Sequence, residues 1–228
     1  MYLSQDTVQI LKNFSTINSN IMIRPGSTLR TWTVSKTILG EAEIAEEFDK
    51  EVAIYDLNQF LNCLSLIPGA ELHLEDDYVH ITDGTNSIQY RCAVPSSIST
   101  PPDKKINLPS QDVCVVLTED NIDQIKKAAS VLQIPDVSLI GNGETIELTV
   151  RDKSNSGSNS YSIAVGETDA VFRLNMKVEN LKLLPGDYDV VVSCRSSDKT
   201  IGHFTNHARA IDYYIPFEND STYTPPKN

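Results

Sequence analysis

At 228 residues with 40% hydrophobic content, the chain has room for one large domain or for two of about 100 residues, each with its own core. Its formal net charge of −12 argues against a generally basic, phosphate-gripping surface, unless its basic residues are gathered in one place. No run of about 18 apolar residues exists to span a bilayer, and the opening Met1-Tyr2-Leu3-Ser4-Gln5-Asp6 lacks a secretory pattern, so the expectation is a cytoplasmic protein with no membrane partner.

The first element in chain order is a helix. Ser4 stands as N-cap, Asp6 puts an acid in the first turn, and Val8, Leu11 and Phe14 follow at helical spacing. Strand-like sequence runs over 21–44. A second, short helix is expected where Ile54, Leu57, Leu61 and Leu64 recur, stopped by Ile67-Pro68-Gly69. Alternating strand patterns then occupy 71–75 and 78–82, with Glu75-Asp76-Asp77 as a solvated hairpin turn. Residues 95–112 hold four prolines and no helical or strand period, the composition of a connector.

The same order then begins again. Leu117-Thr118-Glu119-Asp120-Asn121-Ile122 answers Leu3-Ser4-Gln5-Asp6-Thr7-Val8 at an offset of 114 residues, half the chain length. Ile122, Ile125, Ala129 and Leu132 form its core stripe. Strand sequence spans 137–165, with Gly141-Asn142-Gly143 as a hairpin turn and 152–160 as a flexible hairpin loop. Val171, Leu174-Asn175, Val178, Leu181, Leu184, Pro185 and Gly186 answer the Ile54–Gly69 segment at an offset of 117, which predicts a fourth helix. Strands over 188–194 and 200–204 close the copy, and the tail from residue 219 reads as mobile. The prediction is an α+β protein of two tandem similar domains, 1–94 and 113–228, joined by a connector over 95–112. Each domain carries two helices packed on antiparallel sheet.

Catalytic and metal chemistry is hard to find in the sequence. Cys63, Cys92, Cys114 and Cys194 form no CxxC pair and read as reduced, mostly buried thiols rather than zinc ligands. His203 and His207 share one face of a strand but lack the glutamate of HExxH. No GxSxG and no Walker lysine is present. The expectation is a body rather than an enzyme, with no metal and no cofactor.

The outer helix faces carry more signal. At about 100° per residue, the first helix turns Gln9, Asn13 and Thr16 outward, flanked by Lys12. The second shows Asn58, Asn62 and Ser65. The third shows Asp123, Lys127 and Ser130 with Lys126 on its flank, and the expected fourth shows Asn175, Glu179 and Lys182. Such faces are rich in amides and lysine and poor in acids, against the trend of the whole chain, although an ordinary solvated face has a similar look.

Val52-Ala53-Ile54-Tyr55-Asp56-Leu57-Asn58, continuing Gln59-Phe60-Leu61 and then Leu64-Ser65-Leu66, resembles a motif of the DNA polymerase sliding clamps of T-even-type bacteriophages. So does Leu11-Lys12-Asn13-Phe14-Ser15-Thr16-Ile17-Asn18-Ser19, and Pro185-Gly186-Asp187-Tyr188 and Glu218-Asn219-Asp220-Ser221-Thr222 fit the same family. The likeness runs from end to end, loosens over 75–117, and fails over 223–228. It implies the sliding-clamp fold and a homotrimeric ring, with four helices per chain lining a hole that encircles duplex DNA without reading its sequence. The implied partners are the DNA polymerase that the ring tethers and an ATP-dependent clamp loader, with transcription factors as a further open possibility. The place of action would be the cytoplasm of the infected bacterial host. The DNA-facing residues would be Lys12, Asn13, Asn58, Asn62, Lys126, Lys127 and Lys182. A partner peptide would enter a pocket beside the connector, formed by Ile98, Ile106, Leu108 and Pro109 with Tyr214, Pro216 and Phe217. The other reading of those apolar residues is that they pin the connector to the core. A virion or tail structural protein built from duplicated β-rich domains is the alternative function.

Overall fold

Ser4 holds an extended backbone and its side chain accepts the Thr7 N–H, and from there Gln5–Ile17 coils as α1. This is seen in the computed structural model, which describes residues 1–155, 157–194 and 199–226. The chain divides into two units, Met1–Lys104 and Lys105–Asn228. No helix among the described residues is long and apolar enough to cross a membrane.

In the first unit α1 buries Thr7, Ile10, Leu11, Phe14 and Ile17, the stripe that a 3.6-residue period dictates. After it come β1 (Ile21–Ile23), β2 (Gly26–Trp32), β3 (Leu39–Phe48) and β4 (Val52–Ile54). β1 pairs with β4, and β2 with β3, all antiparallel. Asp56 then caps α2 (Leu57–Leu66) by accepting the Gln59 N–H at 2.9 Å. Pro68 and Gly69, the latter at φ +73°, end it. β5 (Glu71–Leu74), β6 (Tyr78–Thr82) and β7 (Ser87–Arg91) make a three-stranded meander with β7 at one edge. Tyr90 locks β7 to α2, packing edge-on against Phe60 at 5.1 Å and donating its hydroxyl to the Asp56 carbonyl at 3.1 Å.

The second unit opens with β8 (Val113–Leu117) and α3 (Glu119–Leu132). Thr118 and Asn121 cap α3 reciprocally, and Gln133 ends it in left-handed geometry at φ +56°. β9 (Asp136–Asn142), β10 (Thr145–Arg151), β11 (Ser160–Glu167) and β12 (Val171–Lys177) follow. The last four strands are β13 (Tyr188–Ser193), β14 (Ile201–Asn206), β15 (Ile211–Pro216) and β16 (Thr222–Thr224). One antiparallel sheet runs β11-β10-β9-β12-β16, with β11 at its edge, and a second set runs β15-β14-β13-β8. Leu139, Leu148, Leu174, Val190 and Tyr213 lie in the core of the unit.

The expected fourth helix is absent. Val171–Lys177 is the strand β12, and only a single 3-10 turn, Val178–Asn180, follows it. Phe172, Leu174 and Met176 alternate inward on β12, a period of two that outranks the weaker helical match. The seven residues then left before Pro185 cannot hold a stable helix. Asn175, expected on an outer helix face, is buried; it accepts from Ser138 at 2.8 Å and donates to Asp220 at 3.1 Å.

Two smaller expectations also change, the mobile tail and the mostly buried thiols, of which none is fully buried. Thr222–Thr224 of the tail forms a strand, where Tyr223 stacks on Phe172 with ring centroids 6.4 Å apart; residues 227 and 228 lie outside the described residues. None of the four cysteines is disulfide-bonded, and Cys114 is exposed on the outward side of β8. The 152–160 segment does join β10 to β11, although Ser156 lies outside the described residues.

Gly141 sits within β9 directly opposite Phe172. A Cβ there would lie 2.4 Å from a ring carbon of Phe172, whose side chain is itself buried. Gly141→Ala is therefore expected to destabilise the fold by about 1–3 kcal/mol through overpacking. Chemical denaturation would measure it, and a loss below about 0.5 kcal/mol would contradict the close approach.

Candidate nucleic-acid interface and partner surface

The outer faces of the three α-helices are largely free of net charge. α1 carries one acid, Asp6, and one base, Lys12; α2 carries no charged residue; α3 has Glu119, Asp120 and Asp123 against Lys126 and Lys127. The helices thus hold −1 of the −12 total, so −11 lies elsewhere in the chain. Asp6, Glu119 and Asp120 sit in first turns, where they complement the helix dipole.

Lys12 is exposed on α1 beside a concavity of about 220 Å³ shared with Leu61, Leu64 and Ser65 of α2. Asn13 is half-buried. Asn58 and Asn62 are exposed one helical turn apart on α2, so Lys12, Asn58 and Asn62 belong to the paired helices of one unit. Lys127 is exposed on α3, whereas Lys126 is half-buried and borders Leu183, Leu184 and Pro185. Burial pushes the Lys126 ammonium below its usual range, against the opposing pull of Asp123. Lys182 follows the 3-10 turn in a loop, not on a helix, and is half-buried.

The expected pocket residues separate by burial. Ile98 packs with Met22, Ala53 and Ala93 in the core of the first unit, and Phe217 is buried in the second, its ring pressed against Gly202. Ile106, Leu108, Pro109, Tyr214 and Pro216 keep at least part of their surface. Tyr214 stacks flat on His203 at 4.4 Å. His203 is held by Asp212 at 2.7 Å and His207 by Asp189 at 3.0 Å, so the two histidines have different partners. No cluster of three or more His, Cys, Asp or Glu suited to a metal ion occurs among the described residues.

Sequence reasoning missed a third feature. Val131, 72% exposed at the end of α3, and Tyr161, on edge strand β11, flank a cleft of about 400 Å³. Val131 lies one position off the core stripe of Ile122, Ile125, Ala129 and Leu132, and an apolar residue on a polar helix face was the available signal.

Residues 4–98 match the family described as DNA polymerase processivity factor, and residues 114–219 match the family described as gp45 sliding clamp, C terminal. The chain is 33% identical over 230 residues to the sliding clamp of Escherichia phage RB69, covering 98% of this chain and 99% of that protein. It is 31% identical, with the same coverage, to the sliding clamp of Enterobacteria phage T4. Among solved structures it is similar to a DNA polymerase III subunit beta sliding clamp from Bartonella birtlesii. That likeness has a TM-score of 0.71 at 13% identity and covers 96% of this chain and 65% of that one. It is also similar to proliferating cellular nuclear antigen from Entamoeba histolytica, with a TM-score of 0.66 at 13% identity over 93% of this chain and 94% of that one.

The carriage of Lys12 depends on how α1 is anchored. Glu46 of β3 accepts the Ser4 N–H with one carboxylate oxygen and the Thr7 hydroxyl at 2.5 Å with the other. Burial alone would raise the Glu46 pKa, but these bonds outweigh it and hold it below its ordinary 4.5. A depressed folded-state pKa stabilises above the unfolded value and loses that contribution as pH falls through the folded one. Glu46→Ala is expected to cost about 1 kcal/mol at neutral pH. The difference from wild type should shrink below pH 4.5; thermal melts at several pH values would show a constant gap if the carboxylate were not the cause.

Proposed function

The chain belongs to the sliding-clamp family of DNA polymerase processivity factors, and on that premise we propose that three copies close into a ring around duplex DNA. The observation that carries this reading is that each unit ends a sheet in an open edge strand tied by a tyrosine to a helix. β7 is tied to α2 by Tyr90, and β11 to α3 by Tyr161. A head-to-tail contact of β7 with the β11 of a second copy satisfies both edges and, with a rotation of one third of a turn per copy, closes after three.

Within such a ring the α-helices line the hole. Lys12, Asn13, Asn58, Asn62, Lys126 and Lys127 face the phosphates as positioning contacts, with Lys182 on the adjoining loop. The near-neutral helix faces hold DNA loosely, while acids elsewhere discourage its approach to other surfaces. Retention is topological, so the protein performs no chemistry on its substrate. An ATP-dependent loader opens and places the ring, and the polymerase docks outside. Tyr214 and Pro216, with Ile106, Leu108 and Pro109, supply the apolar seat for its peptide, and Phe217 supports that seat from the core of the second unit; Ile98 instead packs in the core of the first. The work takes place in the cytoplasm of an infected bacterial host.

The test is to load the protein on nicked circular DNA with a loader and ATP, then linearise the circle. The ring should run off free ends; retention after linearisation, or failure to load, would count against encirclement. Reversing two charges per chain, Lys126→Glu with Lys127→Glu, is expected to abolish most stimulation of the polymerase. Lys12→Ala should weaken DNA binding slightly and lower its salt slope by about one for each phosphate the ammonium had neutralised.

A further inference from the structure

The cleft beside β11 is shaped by a short relay. The Tyr161 hydroxyl donates to Gln124 Oε1 at 2.8 Å, and Gln124 Nε2 donates to Asp120 Oδ2 at 2.5 Å. Asp120 and Gln124 lie one turn apart on α3, so both point along the same helix face. Tyr161 is 39% exposed at a sheet edge, with a neighbouring strand, β10, on one side alone. Packing by itself does not fix such a ring. The relay does, by fastening its polar tip to the helix and leaving its apolar body as a wall of the cleft.

We infer that Gln124 is a positioning residue for association of a second copy of this chain, acting through Tyr161. The inference rests on the proposed use of β11 as a ring edge. The cleft, lined by Lys127, Ala128, Val131, Leu132 and Tyr161 as well as Gln124, lies beside that edge. The first unit offers the matching element: α2 is tied to β7 and ends in Leu66, which is 75% exposed. A second copy whose β7 joins β11 brings the α2 that Tyr90 ties to that strand alongside α3, so the occupant is the exposed surface of that helix, Leu66 included. Because the Tyr161 hydroxyl is already satisfied within its own chain, the incoming surface meets apolar ring and no stranded donor.

Sedimentation equilibrium of the full chain tests this. Gln124→Leu should weaken association about tenfold, while a thermal melt of the dissociated protein stays unchanged. Tyr161→Phe should give a similar loss, and the double variant should be no worse than either single one, because both remove the same bond. Normal association of Gln124→Leu, or losses that add in full, would overturn the role of Gln124. Val131→Glu separates the two levels: it should abolish association. If it assembles normally, the use of β11 as a ring edge fails and this inference fails with it; if it dissociates while Gln124→Leu does not, the edge stands and Gln124 has no part.

Discussion

An antiparallel sheet leaves a row of backbone donors and acceptors at each end, and these must find partners somewhere. Most features of this chain follow from how it manages that requirement. In the second unit the edge at β12 is covered by β16, held there by Tyr223 on Phe172 and by the Ser221 hydroxyl accepting the Asn175 N–H. In the first unit Met1 exchanges backbone bonds with Leu72 on β5. β7 and β11 are treated differently, each being left at a sheet end with a tyrosine anchoring it to a helix. An edge that is rigid and open is suited to recognition of another strand, whereas a mobile one invites indiscriminate pairing.

The charge distribution follows a similar division. Several acids are committed to ion pairs within the chain. Lys153 lies between Glu218 and Asp220, and Lys177 reaches Asp136, which ties the 152–160 hairpin and the tail to the sheet. The helices are left near neutrality, which in the proposed ring suits a surface that stays next to a polyanion without holding it. A strongly basic lining would trap the duplex through counterion release.

Much of this was legible in the sequence because it is local. N-caps at Ser4 and Thr118, the stop at Pro68-Gly69, and the hairpin at Gly143 are written in a few adjacent residues and behave accordingly. The fourth helix misled because Val171, Leu174, Val178 and Leu181 satisfy a helical period while Phe172, Leu174 and Met176 satisfy a strand. The choice is made by β9, which offers a partner along the full length of β12. Ile98 and Phe217 were equally ambiguous, since an apolar residue near a connector can pin it or project from it, and only burial distinguishes the two. The Gln124–Tyr161 bond joins residues 37 positions apart, which no short-range pattern can announce.

The absence of any charged side chain on α2 has a consequence for how the two halves respond to their medium. In the proposed ring Asn58 and Asn62 would meet a phosphate through amide dipoles and hydrogen bonds at contact distance, which mobile ions scarcely screen. Lys126 and Lys127 act largely through a longer-ranged field, which fades over about 8 Å at physiological ionic strength. In the proposed ring the first unit thus adds to Lys12 two amide contacts that salt scarcely tunes, whereas the second relies on lysines alone. On that arrangement, rising ionic strength would weaken the lysine contacts of both units and leave the amide contacts of α2 to carry a larger share of what remains.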